Sequence, residues 1–154
     1  MTGTIDARLT ELGITLPDAP APAANYVPFV RSGNLVFISG QVARDTSGFL
    51  TGKVGAEIDV ATAQIAARSC ALALIAQLRA ALDGDLDRLS RVVKLTGFVN
   101  AAPDFTDHPA VINGCSDLMV EVFGEAGRHA RAAVGSSSLP LGVQVEIEGV
   151  FEVA

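Results

Sequence analysis

The sequence predicts an α+β domain: one β-sheet with two long helices on one face, preceded by a short N-terminal helix. Three observations predict it. Apolar residues recur at helical spacing over about 60–82 and again over about 109–123. Short β-branched and aromatic runs stand before, between and after those segments. The resulting order, β-β-α-β-α-β-β, has no internal repeat or linker, and helices alternating with antiparallel hairpins favour one sheet covered on one side.

Each element has its own reason. Over residues 4–13, Ile5, Leu9 and Leu12 recur at helical spacing and Gly13 ends the helix. Residues 16–25 are rich in Pro and Ala and should run extended. Residues 1–24 therefore form the N-terminal helix and extended segment, and 25–154 the globular domain. A strand from Tyr26 to Arg31, a Ser32-Gly33-Asn34 turn and a strand from Leu35 to Ile38 make a hairpin. Ser39-Gly40-Gln41 closes it, where glycine permits a bulge. Asp45 to Gly55 reads as a glycine-rich loop with a short strand near Leu50. Asp59 is a good N-cap for a helix over about 60–82, with Ile65, Ser69, Leu72, Ala76 and Arg79 on one stripe. Asp83-Gly84-Asp85 ends it, and Leu89 to Val99 reads as a strand. His108-Pro109 opens a second helix that Gly124 and Gly127 break. Strands over about 130–137 and 143–153 complete the chain.

The composition narrows the function. Of 154 residues, 49% are hydrophobic and only 18% charged, which favours burial at subunit contacts as well as in a core. A net charge of −6 and a pI of about 4.7 lack the electrostatic footprint of a nucleic-acid binder. There is no Trp and one Tyr, so no base-stacking platform is visible. Cys70 and Cys115 match no metal or redox spacing and read as buried small hydrophobes. His108 and His129 lack ligand-spaced partners, so no metal is expected. No signal peptide is apparent, and the apolar stretch around Ala71 to Leu82 reads as too short and too polar for a bilayer. A cytoplasmic protein without membrane partners is expected.

The C-terminal stretch carries the chemistry. A strand bearing Arg131 runs into Leu139-Pro140-Leu141-Gly142, and a second strand returns with Glu146 and Glu148 at alternate positions. Val145, Ile147 and Phe151 should face the core and the two glutamates the other side, with the small Ala133 and Gly135. A guanidinium can grip a carboxylate through two parallel hydrogen bonds. A carboxylate near it can activate water or move a proton.

Two stretches resemble the Rid family, the YjgF-type reactive intermediate deaminases. One is Gly33-Asn-Leu-Val-Phe-Ile-Ser39-Gly40-Gln41. The other is Ala130-Arg131-Ala-Ala-Val, then Leu139-Pro140, then Val145-Glu146-Ile-Glu148. The likeness spans roughly residues 25–153. It implies a chorismate-mutase-like α+β fold with a single mixed sheet, and a homotrimer with sites in the clefts between subunits. It also implies hydrolysis of amino-acid-derived enamines and imines, such as 2-aminoacrylate, to a 2-keto acid and ammonia, without a cofactor. In that likeness Arg131 clamps the substrate carboxylate and Glu146 positions or activates water. Tyr26 and Asn113 line the cleft, Ser39 and Gly40 form its wall, and Ala133 contributes backbone. The chain departs from the archetype in its N-terminal extension, in His129 where a Pro is usual, and in Ala133 where Cys is common. It also has about one extra residue between Asn113 and Arg131. A trimer that binds small carboxylates without turnover is the alternative. Endoribonuclease activity, also associated with the family, is disfavoured by the acidic charge.

Overall fold

The computed structural model describes residues 3–19, 21 and 24–154. The expected extended segment over 16–25 therefore lies partly outside the described residues. The helices are α1 (Thr4–Glu11), α2 (Val60–Ala81) and α3 (His108–Phe123). The strands are β1 (Phe29–Ser32), β2 (Leu35–Val42), β3 (Arg44–Asp45), β4 (Gly48–Phe49), β5 (Leu89–Asn100), β6 (Ala130–Ser136) and β7 (Val145–Val153). Five strands form one mixed sheet in the order β1-β2-β7-β5-β6, while β3 and β4 make a separate small hairpin. All pairs in the large sheet are antiparallel except β5 with β6. Helix α2 lies over β2 and β7, and α3 over β5 and β6. The expected sheet with two helices on one face is what forms.

Several boundaries differ from expectation. Tyr26, Val27 and Pro28 precede β1 rather than belonging to it, because Pro28 cannot donate to the ladder. Strand β2 continues to Val42 through a bulge. Ile38 faces Gly149 and Gln41 faces Ile147, so three steps along β2 match two along β7. The short strand expected near Leu50 forms one to two residues earlier, as β4, and pairs with β3 in a small hairpin. The strands around the Leu-Pro-Leu-Gly turn are not neighbours, since β5 lies between β6 and β7.

Helix α2 starts where Asp59 Oδ1 accepts from the Thr62 N–H at 2.8 Å. Its buried face is Ala63, Ala66, Ala67, Cys70, Ala71, Leu74, Ile75 and Leu78. Of the expected stripe, Ala76 is buried and Leu72 packs on the core, as do Leu74, Ile75 and Leu78 beside it, while Ile65 is 65% exposed. Alanines let the helix axis approach the sheet, so small residues rather than large ones mark its contact. The helix is long and apolar enough to cross a membrane by length and composition, but 56% of its most apolar window is buried within the domain.

Helices α2 and α3 touch at Gly114, where an added Cβ would lie 2.2 Å from the Gln64 carbonyl oxygen. Gly114→Ala should therefore force the helices apart and destabilise the fold by about 1–3 kcal/mol. A lowered urea midpoint checks this, and an unchanged midpoint would show that the contact is looser. Helix α1 is fastened to the domain by Asp87, whose carboxylate accepts from the Thr4 and Ile5 N–H groups at 2.8 Å each.

The open sheet face is mixed in character. A transverse row runs Val42, Glu146, Phe98, Val134 across β2, β7, β5 and β6. Phe37, Val30 and Val134 remain 45%, 52% and 43% exposed on the single chain. Ala133 and Gly135 do not belong to this face as expected. They pair with Gly97 and Val99 and point towards α3, where a Cβ on Gly135 would meet the His108 ring.

Candidate active site

Glu146 lies where the bulge in β2 brings a residue without a side chain against it. A Cβ on Gly40 would come within 3.1 Å of the Glu146 carboxyl carbon and Oε1, so the carboxyl lies across Gly40. The bulge is held by Gln41 Nε2, which donates to the Ser39 carbonyl at 2.9 Å. Ser39 Oγ donates to the Val27 carbonyl at 2.8 Å, drawing the segment with Tyr26 over the end of the sheet. The result is a cavity of about 240 Å³ whose walls include Tyr26, Ser39, Gly40, Arg44, Leu141 and Glu146. Leu141 has φ of 60°, a left-handed conformation that a non-glycine residue adopts at a cost of about 1–3 kcal/mol. Leu141 is exposed and forms part of the cavity wall.

Burial raises the Glu146 carboxyl above its ordinary range, and the charge of Glu148 adds to this. Val42 and Phe98 flank it in the sheet, which accounts for the lost solvation.

Arg131 belongs to a second constellation. Its Nη1 donates to Asn113 Oδ1 at 2.8 Å and to Ser116 Oγ at 3.2 Å. Ser116 Oγ is 2.9 Å from His129 Nε2, and His129 Nδ1 is 2.7 Å from the Gly127 carbonyl. A carbonyl can only accept, so Nδ1 carries the proton. In the neutral ring Nε2 then accepts from the Ser116 hydroxyl, whose oxygen accepts from Arg131. One nitrogen of the guanidinium is fixed by two bonds, leaving Nε and Nη2 for a ligand. Ala133 follows on the same strand face, half-buried and packed on the core. Strand β6 is at the sheet edge, so its outer backbone groups have no strand partner among the described residues.

The predicted residues thus fall into two groups on one chain. Tyr26, Ser39, Gly40 and Glu146 share the cavity, while Arg131, Asn113 and Ala133 gather beneath α3. Register places the groups apart. Arg131 pairs with Leu95, which is buried towards the helices, whereas Glu146 pairs with Phe98 on the open face. The two side chains leave opposite faces of the sheet with a strand between them, so one small ligand cannot touch both on one chain. This corrects the expectation that the returning strand carries its carboxylate to the arginine.

Other candidates are quiet. Burial pushes the Cys115 thiol up to about 12 and raises the Cys70 thiol well above its ordinary value, so neither is a thiolate nucleophile. Among the described residues no three His, Cys, Asp or Glu side chains converge as a metal ion would require.

A family profile described as "YjgF/chorismate mutase-like, putative endoribonuclease" matches residues 6–150. The chain belongs to the YjgF family. Protein TCP17 of Trypanosoma cruzi is 52% identical over 153 residues, covering 98% of this chain and 95% of that one. The 2-iminobutanoate/2-iminopropanoate deaminase of Dermatophagoides farinae is 30% identical over 139 residues, covering 89% of this chain and 92% of that one. The crystal structure of Atu1372 from Agrobacterium tumefaciens, a protein of unknown function, matches with a TM-score of 0.90 and 52% identity, covering 97% of this chain and 92% of that one.

Within this YjgF-family site, sequence reasoning missed Arg44, Gln77, Ser116 and the contact made by His129. Two of these had a signal. Ser116 is one helical turn beyond Asn113, on the same face of α3. His129 is two residues before Arg131, so an extended chain points both the same way. Arg44 had none, because its position depends on the β3–β4 hairpin.

Proposed function

We propose that the chain hydrolyses reactive imines and enamines derived from amino acids, giving a 2-keto acid and ammonia, in a homotrimer with its sites between copies. The observation that carries this reading is the half-buried Glu146 carboxyl lying across Gly40 in a cavity with Tyr26 and Ser39. The separation of Arg131 from Glu146 on one chain supports an intersubunit site, in which one copy lends the guanidinium and the next the carboxylate. The likeness to an imine deaminase is consistent with the chemistry.

In this mechanism Nε and Nη2 of Arg131 hold the substrate carboxylate in a fork. Glu146 takes a proton from water as the water oxygen bonds to the carbon of the protonated imine and the C=N electron pair moves to nitrogen. The protonated carboxyl returns that proton to the amine nitrogen of the carbinolamine. The C–N bond breaks, ammonia leaves, and loss of the hydroxyl proton gives the keto acid. An imine carbon is already electrophilic, so positioning and one proton-transfer group suffice, and no cofactor is required.

The test generates imines in situ with an amino-acid oxidase and follows ammonia and keto acid. Acceleration above the water rate is expected. No acceleration, with keto acids still bound, would replace the enzyme by a carboxylate-binding trimer. Light scattering at micromolar concentration should give a trimer mass, since assembly would cover Phe37 and Val134 on the open face. A monomer mass would remove the intersubunit site.

A further inference from the structure

The Glu146 cavity contains a cation that the reaction above does not use. Arg44 lines it with Tyr26, Gln41, Phe49 and Gln77. The Arg44 guanidinium carbon sits 5.4 Å from the centroid of the Phe49 ring, and Phe49 is itself a cavity wall. Stacking on an aromatic face orients a guanidinium while leaving its N–H edge free to donate.

Among the described residues nothing acidic pairs with it. Among the described residues the ion pairs are Arg8–Glu11, Arg68–Glu121 and Arg128–Glu125. The neighbouring Asp45 is turned to its own loop, its Oδ1 accepting from the Ser47 N–H at 2.8 Å and the Ser47 hydroxyl at 2.6 Å, and it makes no ion pair with Arg44. Glu146 shares the cavity, yet its carboxyl is raised by burial and by Glu148, not held down by a guanidinium. A stacked, unpaired guanidinium on a cavity wall is suited to an anion brought in by the ligand.

We infer that Arg44 binds a second carboxylate on the substrate, so that the site favours imines of dicarboxylic amino acids over those of apolar ones. This rests on the reading of the cavity as the imine site. Arg131 of one copy then takes the carboxylate beside the imine carbon, and Arg44 of the next takes the side-chain carboxylate. A dianion is also the ligand that most needs a second cation here, because Glu146 adds negative charge to the same cavity.

The experiment is titration calorimetry with keto acids matched in length: 2-oxoglutarate against 2-oxopentanoate, and oxaloacetate against 2-oxobutyrate. The wild type should bind each dicarboxylate more tightly than its partner. Arg44→Met keeps the stem without the charge and should lower that ratio roughly tenfold, the worth of one charge-assisted contact near solvent. A ratio near one in the wild type, or an unchanged ratio in Arg44→Met, would overturn the inference. Binding does not require turnover, so the two readings fail separately. Absent imine hydrolysis with the ratio intact sinks the deaminase and leaves the Arg44 site. Brisk hydrolysis of 2-iminopropanoate with a ratio of one does the reverse.

Discussion

Glu146→Gln should slow imine hydrolysis by roughly 10²–10⁴-fold, the range for removing a general base. The amide keeps the shape of the side chain across Gly40, so the cavity should persist. What disappears is the group that accepts the proton of water. Binding of a keto-acid product should be retained or improve, because a negative charge has left an anion site. Glu148→Gln is the control, since Glu148 lies on the same face but is exposed and outside the cavity wall. Comparable small losses in both variants would move the chemistry elsewhere. The pH dependence follows from the direction of the Glu146 shift. Burial, then Glu148, holds the carboxyl above its ordinary range, so wild-type kcat/KM should rise with pH through values higher than an exposed glutamate would give. Stability has the opposite sign. A raised folded pKa means that the folded chain keeps the proton longer than the unfolded chain. The benefit is full below the ordinary glutamate range and is lost as pH rises through the folded pKa. Glu146→Gln should therefore be at least as stable as the wild type at neutral pH. Loss of activity joined to unchanged or higher stability is what a functional rather than a structural carboxylate produces.

Much of the architecture was legible because local signals agreed with the final fold. Asp59 caps α2, His108-Pro109 opens α3, and the alternation of Val145, Glu146, Ile147 and Glu148 divides buried from open positions. What was not legible depended on non-local pairing. The close approach of α2 was readable from its alanines, but the stripe drawn through Ile65 ran too far round the helix, because the buried face turns on Ala63, Ala66, Ala67 and Ala71. The turn at Leu139-Pro140 suggested adjacent strands, but β5 inserts between them by a parallel pairing with β6 that no turn residue announces. That one pairing decides that Arg131 and Glu146 leave opposite faces. The residue types in the candidate site were therefore readable, while their placement on opposite faces of one sheet was not.

Arg131→Ala should remove carboxylate binding and leave the domain folded. Arg131 is half-buried on an edge strand, and its contacts are to Asn113 and Ser116 near the surface rather than to the core. Water can replace the guanidinium at both, so stability should fall little. Affinity should not survive, for a charge-assisted bidentate pair is worth about 1.5–3 kcal/mol, roughly 10–150-fold in Kd. Arg131→Lys should fail nearly as badly. An ammonium is a single donor centre and cannot hold Asn113 and Ser116 with one nitrogen while presenting two others to a ligand. Calorimetry with 2-oxobutyrate on the wild type and both variants decides the matter. Ser116→Ala adds a graded case: it cuts the link from His129 but keeps the Asn113 bond, so the guanidinium should remain with a looser orientation and an affinity between those of the wild type and Arg131→Ala. Equal affinities in all four proteins would remove Arg131 from the site. A loss in Arg131→Ala rescued fully by Arg131→Lys would reduce its role to that of a point charge and leave the fork without support.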